Sequence, residues 1–325
     1  MTDLARVRAA AERLQGHVRR TPLLSSPFLD EIAGRRVLVK AECLQHTGSF
    51  KFRGAWAALT ALDQGIGSRG VLAYSSGNHA QGVALAARML GLPAVVVMPA
   101  DAPRLKIDNT RALGAEVVLY DRATEDRDAI GAALAEARGL TLVPPFDHPE
   151  VIAGQGSTGL EIAEQAAERG VTAADVIVCC GGGGFASGIA LALEGSGLRV
   201  RTAEPAGFDD MARSLASGQV ERNAALSGSI CDAIVTPQPG KLTLPILQRL
   251  AGPGLVVTDD EALRAVALAF QRLKVVAEPG GAVALAAVLF RPAEIKGDTV
   301  ICTLSGGNVD AEVFQRALQR QAVND

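Results

Sequence analysis

The chain has 325 residues, of which 48% are hydrophobic and 21% charged, and it carries a net charge of −3. That length exceeds one small core and points to two lobes of an ordinary globular protein rather than a disordered chain. The nearly balanced charge gives no basic face and argues against nucleic acid as a partner, and no apolar run approaches the roughly 20 residues that span a bilayer.

Leu4, Val7, Ala11, Leu14 and Val18 recur at helical spacing, with Arg6, Arg8, Glu12 and Arg13 between them. This predicts an amphipathic helix docked on the body rather than a signal peptide, so the expected location is the cytoplasm. Thr47-Gly48-Ser49-Phe50-Lys51-Phe52-Arg53-Gly54-Ala55 then sets one lysine in a tightly turning, weakly polar segment. Gly48 and Gly54 admit close backbone on either side, and Phe50 offers a flat face beside the amine. Poor solvation disfavours an ammonium, and a neutral lysine is the form that condenses with an aldehyde. The plain alternative is a helix-start lysine with incidental glycines.

Short β-branched runs then alternate with helical stretches. Val71–Tyr74 is expected as a strand before a helix from His79 to Leu90, and Ala94–Met98 before a helix from Pro103 to Leu113 that Gly114 ends. Glu116–Tyr120 precedes a helix from Thr124 to Arg138, and Thr141–Val143 is a fourth strand. After Pro144-Pro145 a second series begins: a helix over 156–168, strand Asp175–Cys180, helix Phe185–Leu193 and strand Arg199–Ala203. Residues 217–253, rich in Gly, Pro and Ser, are not assigned. Thr258-Asp259-Asp260-Glu261 is a capping box opening a helix to about Lys274, and strand Thr299–Leu304 leads to a final helix from Val309. The alternation predicts βαβ units around parallel sheets, whose ligands bind beyond the carboxyl ends of strands.

The unusual polar motifs fall in such places. Gly181-Gly182-Gly183-Gly184 follows a strand and precedes a helix, an order that suits phosphate held by inward-turned N–H groups, although a flexible turn is the simpler reading. Neither the dinucleotide fingerprint nor a G-K-[ST] step is present. Ser75-Ser76-Gly77-Asn78-His79 offers hydroxyls and amides at a helix start, suited to a carboxylate or to plain capping. Leu304-Ser305-Gly306-Gly307-Asn308 puts a hydroxyl at a strand end with room for a flat ring, and Glu278-Pro279-Gly280-Gly281-Ala282 adds a glycine turn with one carboxylate. Cys43, Cys179, Cys180, Cys231 and Cys302 are scattered and odd in number, with no C-x-x-C pair, so zinc is unsupported and packing is the expected use of Cys179, Cys180 and Cys302.

Together these motifs, from Thr21-Pro22-Leu23 to Asn308-Val309-Asp310, resemble the serine/threonine dehydratase family of pyridoxal-phosphate enzymes, close to serine racemases, 3-hydroxyaspartate dehydratases and catabolic threonine dehydratases. The resemblance implies an α/β, two-domain tryptophan-synthase-β-like fold (fold type II) of parallel-rich twisted sheets flanked by helices. It implies a large cofactor domain over 1–68 and 148–325, a small mobile domain over 69–147, and commonly a homodimer. It implies that Lys51 carries pyridoxal 5'-phosphate, that Phe50 packs on its ring, and that Asn78 bonds its 3-oxygen. Gly181, Gly182, Gly183 and Gly184 would hold the phosphate and Ser305 would face the pyridine nitrogen, with Phe185 and Glu278 completing the cofactor site.

The implied reaction is loss of water from serine, threonine or 3-hydroxyaspartate, giving a 2-oxo acid and ammonia. The substrate carboxylate would rest on Ser75, Ser76, Asn78 and His79, and Lys51 would take the Cα proton. Arg127 matches a position that closes over substrate, with surface display as its alternative. Serine racemization is the enzymatic rival, Ser76 delivering a proton to the opposite face, and a binding protein without a lyase cycle is the rival from another class. The resemblance also suggests a divalent cation, magnesium (or calcium or manganese), on Glu204, the Phe208 carbonyl and Asp210, against the reading of a helix-capping acidic loop. His46 could meet a second substrate carboxylate or simply be a loop histidine. Ala233 stands where relatives carry glycine and narrows the space near the cofactor. No C-terminal regulatory domain is expected.

Overall fold

The structure, a computed structural model, describes residues 2–62, 69–75, 77–102, 104–121 and 123–321. Its ten strands are β1 (Leu23–Leu24), β2 (Arg36–Ala41), β3 (Val71–Tyr74), β4 (Ala94–Pro99), β5 (Glu116–Tyr120), β6 (Thr141–Leu142), β7 (Ala173–Cys179), β8 (Gly197–Pro205), β9 (Leu255–Val257) and β10 (Thr299–Leu304). Among the described residues they form a six-stranded sheet, ordered β1-β2-β10-β7-β8-β9, and a four-stranded sheet, ordered β5-β4-β3-β6. Every pairing is parallel except β1 with β2. Parallel sheets need cover on both faces, and the central strands accordingly read as unbroken apolar runs. No helix among the described residues is long and apolar enough to cross a membrane.

The expected strands from Val71 to Ala203, and Thr299–Leu304, are present within a residue or two at most ends. Three strands were not expected. β2 escapes a pattern search because Lys40 interrupts its apolar run, yet Lys40 is itself fully buried. β1 and β9 are two and three residues long and owe their existence to partners supplied from elsewhere in the chain. The helix expected from 156 begins seven residues earlier, at Pro149, and runs to Ala167. Gly154 and Gly156 look like breakers but are there for contact: a Cβ at Gly154 would stand 2.6 Å from the Arg53 carbonyl oxygen. The helix expected to reach Lys274 is regular over Asp259–Leu268, widens to a π turn over Ala269–Leu273, and stops at Lys274, where φ is +61°. The unassigned stretch holds a 3-10 turn, Asp232–Ile234, and the helix Thr243–Leu250. The final helix is Ala311–Gln321.

The helix Lys51–Thr60 is anchored by a buried ion cluster. Arg53 and Glu42 are both fully buried and meet through two hydrogen bonds of 2.8 Å each. Arg53 also donates to Glu161 at 2.7 Å, and Glu161 accepts from Lys40 at 2.5 Å. Thr21 and Gln165 complete the set through the Lys40 amine, at 2.8 and 2.9 Å. One network thereby ties β2, the lysine-bearing helix and the helix Pro149–Ala167 together. Arg53 holds the Glu42 carboxyl below the usual range although burial alone would raise it. Glu42→Ala leaves the Arg53 charge buried with one partner fewer, and is expected to cost about 3–5 kcal/mol in urea unfolding.

Candidate active site

Three strands, one from the four-stranded sheet and two from the six-stranded sheet, end at one cavity of 370 Å³, a size suited to a small ligand. Tyr74 and Ser75 arrive from β3, Cys179 and the four glycines from β7, and Ser305 from β10. Lys51 enters from the first turn of its helix.

The segment 48–50 is stitched to the loop after β10. Phe50 donates its amide to the Ser305 carbonyl at 3.1 Å, Gly307 donates to the Gly48 carbonyl at 2.9 Å, and the Asn308 amide reaches the Thr47 carbonyl at 2.8 Å. Two backbone bonds and the Asn308 side chain thus place Lys51 beside Ser305. The Lys51 amine donates to the Pro145 carbonyl at 2.7 Å and lies 5.2 Å from the centre of the Phe50 ring. Burial lowers its pKa to about 8, partly opposed by Glu278. The Phe50 ring stacks on Phe185 with centroids 4.0 Å apart.

The glycine loop is walled on every side. A Cβ at Gly181 would stand 2.9 Å from the Ile234 carbonyl oxygen, one at Gly182 would overlap the Phe146 ring, and one at Gly184 would stand 2.9 Å from the Phe146 carbonyl oxygen. Gly183 has φ +92° and opens the helix Gly184–Ala192. Thr243 donates to the Gly182 carbonyl at 2.6 Å, so the loop's carbonyls are turned away and its N–H groups are left for the cavity. An anion fits this cradle.

Asn78 bridges the remaining walls. Its amide donates to Glu278 Oε1 at 2.5 Å, and its oxygen accepts from Asn308 at 2.7 Å. Glu278 is buried with Oε2 unpartnered, and burial raises its carboxyl to about 7 against the pull of Lys106 and Asn78. An unpartnered buried oxygen facing a cavity is the mark of a polar ligand's place. The amine, the glycine cradle and the Ser305 hydroxyl thus fit an aldehyde-bearing pyridine phosphate.

Of the residues singled out from sequence, Phe50, Lys51, Ser75, Asn78, His79, Arg127, the four glycines, Phe185, Glu278 and Ser305 all line the cavity. Ser76 lies outside the described residues. His79 contributes no charge: burial and the nearby Lys51 press its pKa down to about 3, and Nε2 is bound to the Val143 carbonyl at 2.8 Å. Arg127 is half exposed, pairs with Asp128 at 3.3 Å and lies 5.6 Å over the Tyr74 ring. His46 stacks edge-on to Phe52 and does not line the cavity. Glu204, Phe208 and Asp210 are buried apart from it. Glu204 accepts from the amides of Met211 and Ala212 at 2.9 and 2.7 Å, capping the helix Asp210–Ser217, while Asp210 Oδ2 is buried without a partner. Among the described residues no cluster of three or more His, Cys, Asp or Glu side chains converges on one point. All five cysteines are buried and unpaired by disulfides.

Sequence reading missed Tyr74, Lys106, Phe146, Asp232 and Thr243. Lys106 and Asp232 meet across the cavity at 3.2 Å, although 126 residues separate them. Asp232 stands in the segment Ser229-Ile230-Cys231-Asp232-Ala233 beside the singled-out Ala233, but nothing local to either residue could have shown that it meets Lys106.

A family model described as "Pyridoxal-phosphate dependent enzyme" matches residues 14–306. The chain is 43% identical to an L-threo-3-hydroxyaspartate ammonia-lyase of Pseudomonas sp, over 95% of this chain and 96% of the relative. It is 38% identical to an L-threonine ammonia-lyase of Thermotoga maritima, over 99% of this chain and 80% of the relative. The solved structure of maize serine racemase superposes with a TM-score of 0.89 at 35% identity, covering 99% of this chain and 98% of that one.

Because burial lowers the Lys51 pKa, its amine loses its proton at lower pH than a surface lysine. Acylation of Lys51 in cofactor-free protein, followed by peptide mass mapping, is expected to rise with a midpoint at about pH 8, against the ordinary 10.5.

Proposed function

This chain belongs to the pyridoxal-phosphate dependent enzyme family, and we propose that it is an ammonia-lyase. It removes water from a β-hydroxy amino acid, either threonine, serine or 3-hydroxyaspartate, and yields a 2-oxo acid and ammonia. The observation that carries this reading is the weakly solvated Lys51 amine, set in one cavity with an anion cradle and a strand-end hydroxyl. The ammonia-lyase relatives support it.

Pyridoxal phosphate, when bound, supplies the electron sink for the pair left at Cα. Lys51 would hold its aldehyde, Gly181 to Gly184 its phosphate, Asn78 its phenolic oxygen and Ser305 its ring nitrogen. The N–H groups at the start of the helix Asn78–Leu90 receive the substrate carboxylate, aligning Cα with Lys51. Once freed, Lys51 Nζ accepts the Cα proton, a task suited to an amine whose pKa lies near the working pH. Ser305 offers a hydroxyl where a carboxylate would fix a proton, which favours prompt loss of the β-hydroxyl over transamination. Residues 69–147, which hold the four-stranded sheet, act in this reading as a small domain that closes on the substrate.

We further assign a divalent cation, magnesium or calcium, to Glu204, the Phe208 carbonyl and Asp210. Two buried carboxylates, one of them with an unpartnered oxygen, suit a hard cation. Its role is structural, since these groups do not line the cavity. Prolonged chelation is expected to lower the melting temperature, and added magnesium to restore it.

Ammonia and 2-oxo acid release from serine, threonine and the 3-hydroxyaspartate stereoisomers tests the activity, with the chirality of recovered serine measured in parallel. Lys51→Ala is expected to lose roughly 10³-fold or more in rate. Racemization of serine without oxo-acid release would overturn the lyase reading.

A further inference from the structure

Nothing within a run of four glycines fixes which way its peptide groups face. A trans peptide is planar and sets its C=O and N–H on opposite sides, so the Gly182 carbonyl and the Gly183 N–H point apart. At Gly183 φ is +92°. Turning that peptide plane over would send φ to the negative side, which glycine accepts as readily. The turned plane would aim a carbonyl into the cavity and repel an anion there. The choice of face has to come from outside the loop.

It comes from residues 240–243. The Gly182 carbonyl accepts from the Thr243 hydroxyl at 2.6 Å and from the Gly240 amide at 3.2 Å. Neither donor lines the cavity, so the carbonyl is drawn away from it and the Gly183 N–H is turned towards it. Thr243 is fully buried, and its hydroxyl is not needed by its own helix, Thr243–Leu250, which has Leu242 at the N-cap and no side-chain cap. The other acceptor near the hydroxyl, the Gly240 carbonyl, is farther off at 3.3 Å.

The turn that carries Thr243 is held in its own right. Asp147 accepts from the Lys241 and Leu242 amides at 3.0 and 2.8 Å, and a Cβ at Gly240 would stand 2.5 Å from the same carboxylate. The two residues before Asp147 already touch the site: the Pro145 carbonyl accepts from the Lys51 amine, and the Phe146 ring lies against Gly182. One short segment after β6 therefore meets the amine, the cradle and the turn that orients the cradle.

We propose that Thr243 is the positioning residue of the anion cradle: its hydroxyl keeps the Gly182–Gly183 peptide with the N–H towards the cavity, and Asp147 holds the turn that presents it. The assignment rests on the reading that this cradle takes the phosphate of pyridoxal phosphate.

Two measurements test it. The first compares dissociation constants of the full-length, cofactor-free protein for pyridoxal phosphate and for pyridoxal, which has the same aldehyde and no phosphate. Several N–H groups aimed at a dianion predict a wild-type preference of roughly 100-fold for the phosphate ester. Loss of the orienting hydrogen bond predicts that Thr243→Val lowers this preference about tenfold, through weaker binding of pyridoxal phosphate alone. Thr243→Ser should restore it, and Asp147→Ala should lower it by a smaller factor. No loss in Thr243→Val, an equal loss for both ligands, or a Thr243→Ser preference as low as that of Thr243→Val overturns the role of the hydroxyl and leaves the phosphate assignment standing. Equal wild-type affinity for the two ligands overturns the phosphate assignment itself, and the role of Thr243 with it. The second is the phosphorus NMR resonance of the holoenzyme, which reports the donors around the phosphate. It should move in Thr243→Val and return in Thr243→Ser, and a resonance unmoved in Thr243→Val overturns the proposal.

Discussion

An ammonium is held in its protonated form by water, and the site depends on withholding that water from one side chain. Lys51 begins a helix whose first turn faces a cavity, with the Phe50 ring on one side and the Pro145 carbonyl as hydrogen-bond partner. Among the described residues no carboxylate pairs with it, and burial lowers its pKa to about 8. A reactive amine at neutral pH is therefore a property of where the helix starts, not of the lysine itself.

What fixes that start is chiefly backbone pairing. The residues before Lys51 pair with the loop after β10, through Phe50 to Ser305 and Gly307 to Gly48. Behind the helix, Arg53 is locked by Glu42 and Glu161 into the core between β2 and the helix Pro149–Ala167. The two arrangements act on either side of Lys51 in the chain, at Gly48 and Phe50 before it and at Arg53 after it, one placing the amine in front and the other pinning the helix from behind. Distortion of either would move the amine relative to the glycine cradle, whose walls at Ile234 and Phe146 leave no space for adjustment.

Acidic and basic groups around the cavity have been parted by their surroundings. Glu278 is pushed up to about 7 and His79 down to about 3, while Lys106 stays charged through its acidic neighbours. The result is a cavity with one neutral-leaning carboxyl, one neutral imidazole and one buried lysine that keeps its charge, a division of labour that identical residues in water would not show.

The segments that carry this chemistry were readable in the chain because each is continuous. Lys51 with its flanking glycines, the four glycines after β7, Asn78 at a helix start and Ser305 at a strand end all declare themselves through neighbours in sequence. Strands β3 to β8 and β10 did so through apolar runs, whereas β2 was masked by Lys40, whose burial depends on Glu161 from 121 residues away. Glycines of the helix Pro149–Ala167 misled in the same way, since their reasons lie on other elements: the Arg53 carbonyl for Gly154, and Val7 with the Gly188 carbonyl for Gly156.

The sequence alone therefore determined the cofactor-type motifs, their order and the parallel α/β class, because periodicity and turn chemistry act over a few residues. Only the tertiary structure decided that these motifs share one cavity, that Lys51 is desolvated there, that His79 is neutral and that Lys106 faces Asp232. Solvation and charge pairing are set by groups distant in the chain, and they come into being only when it folds.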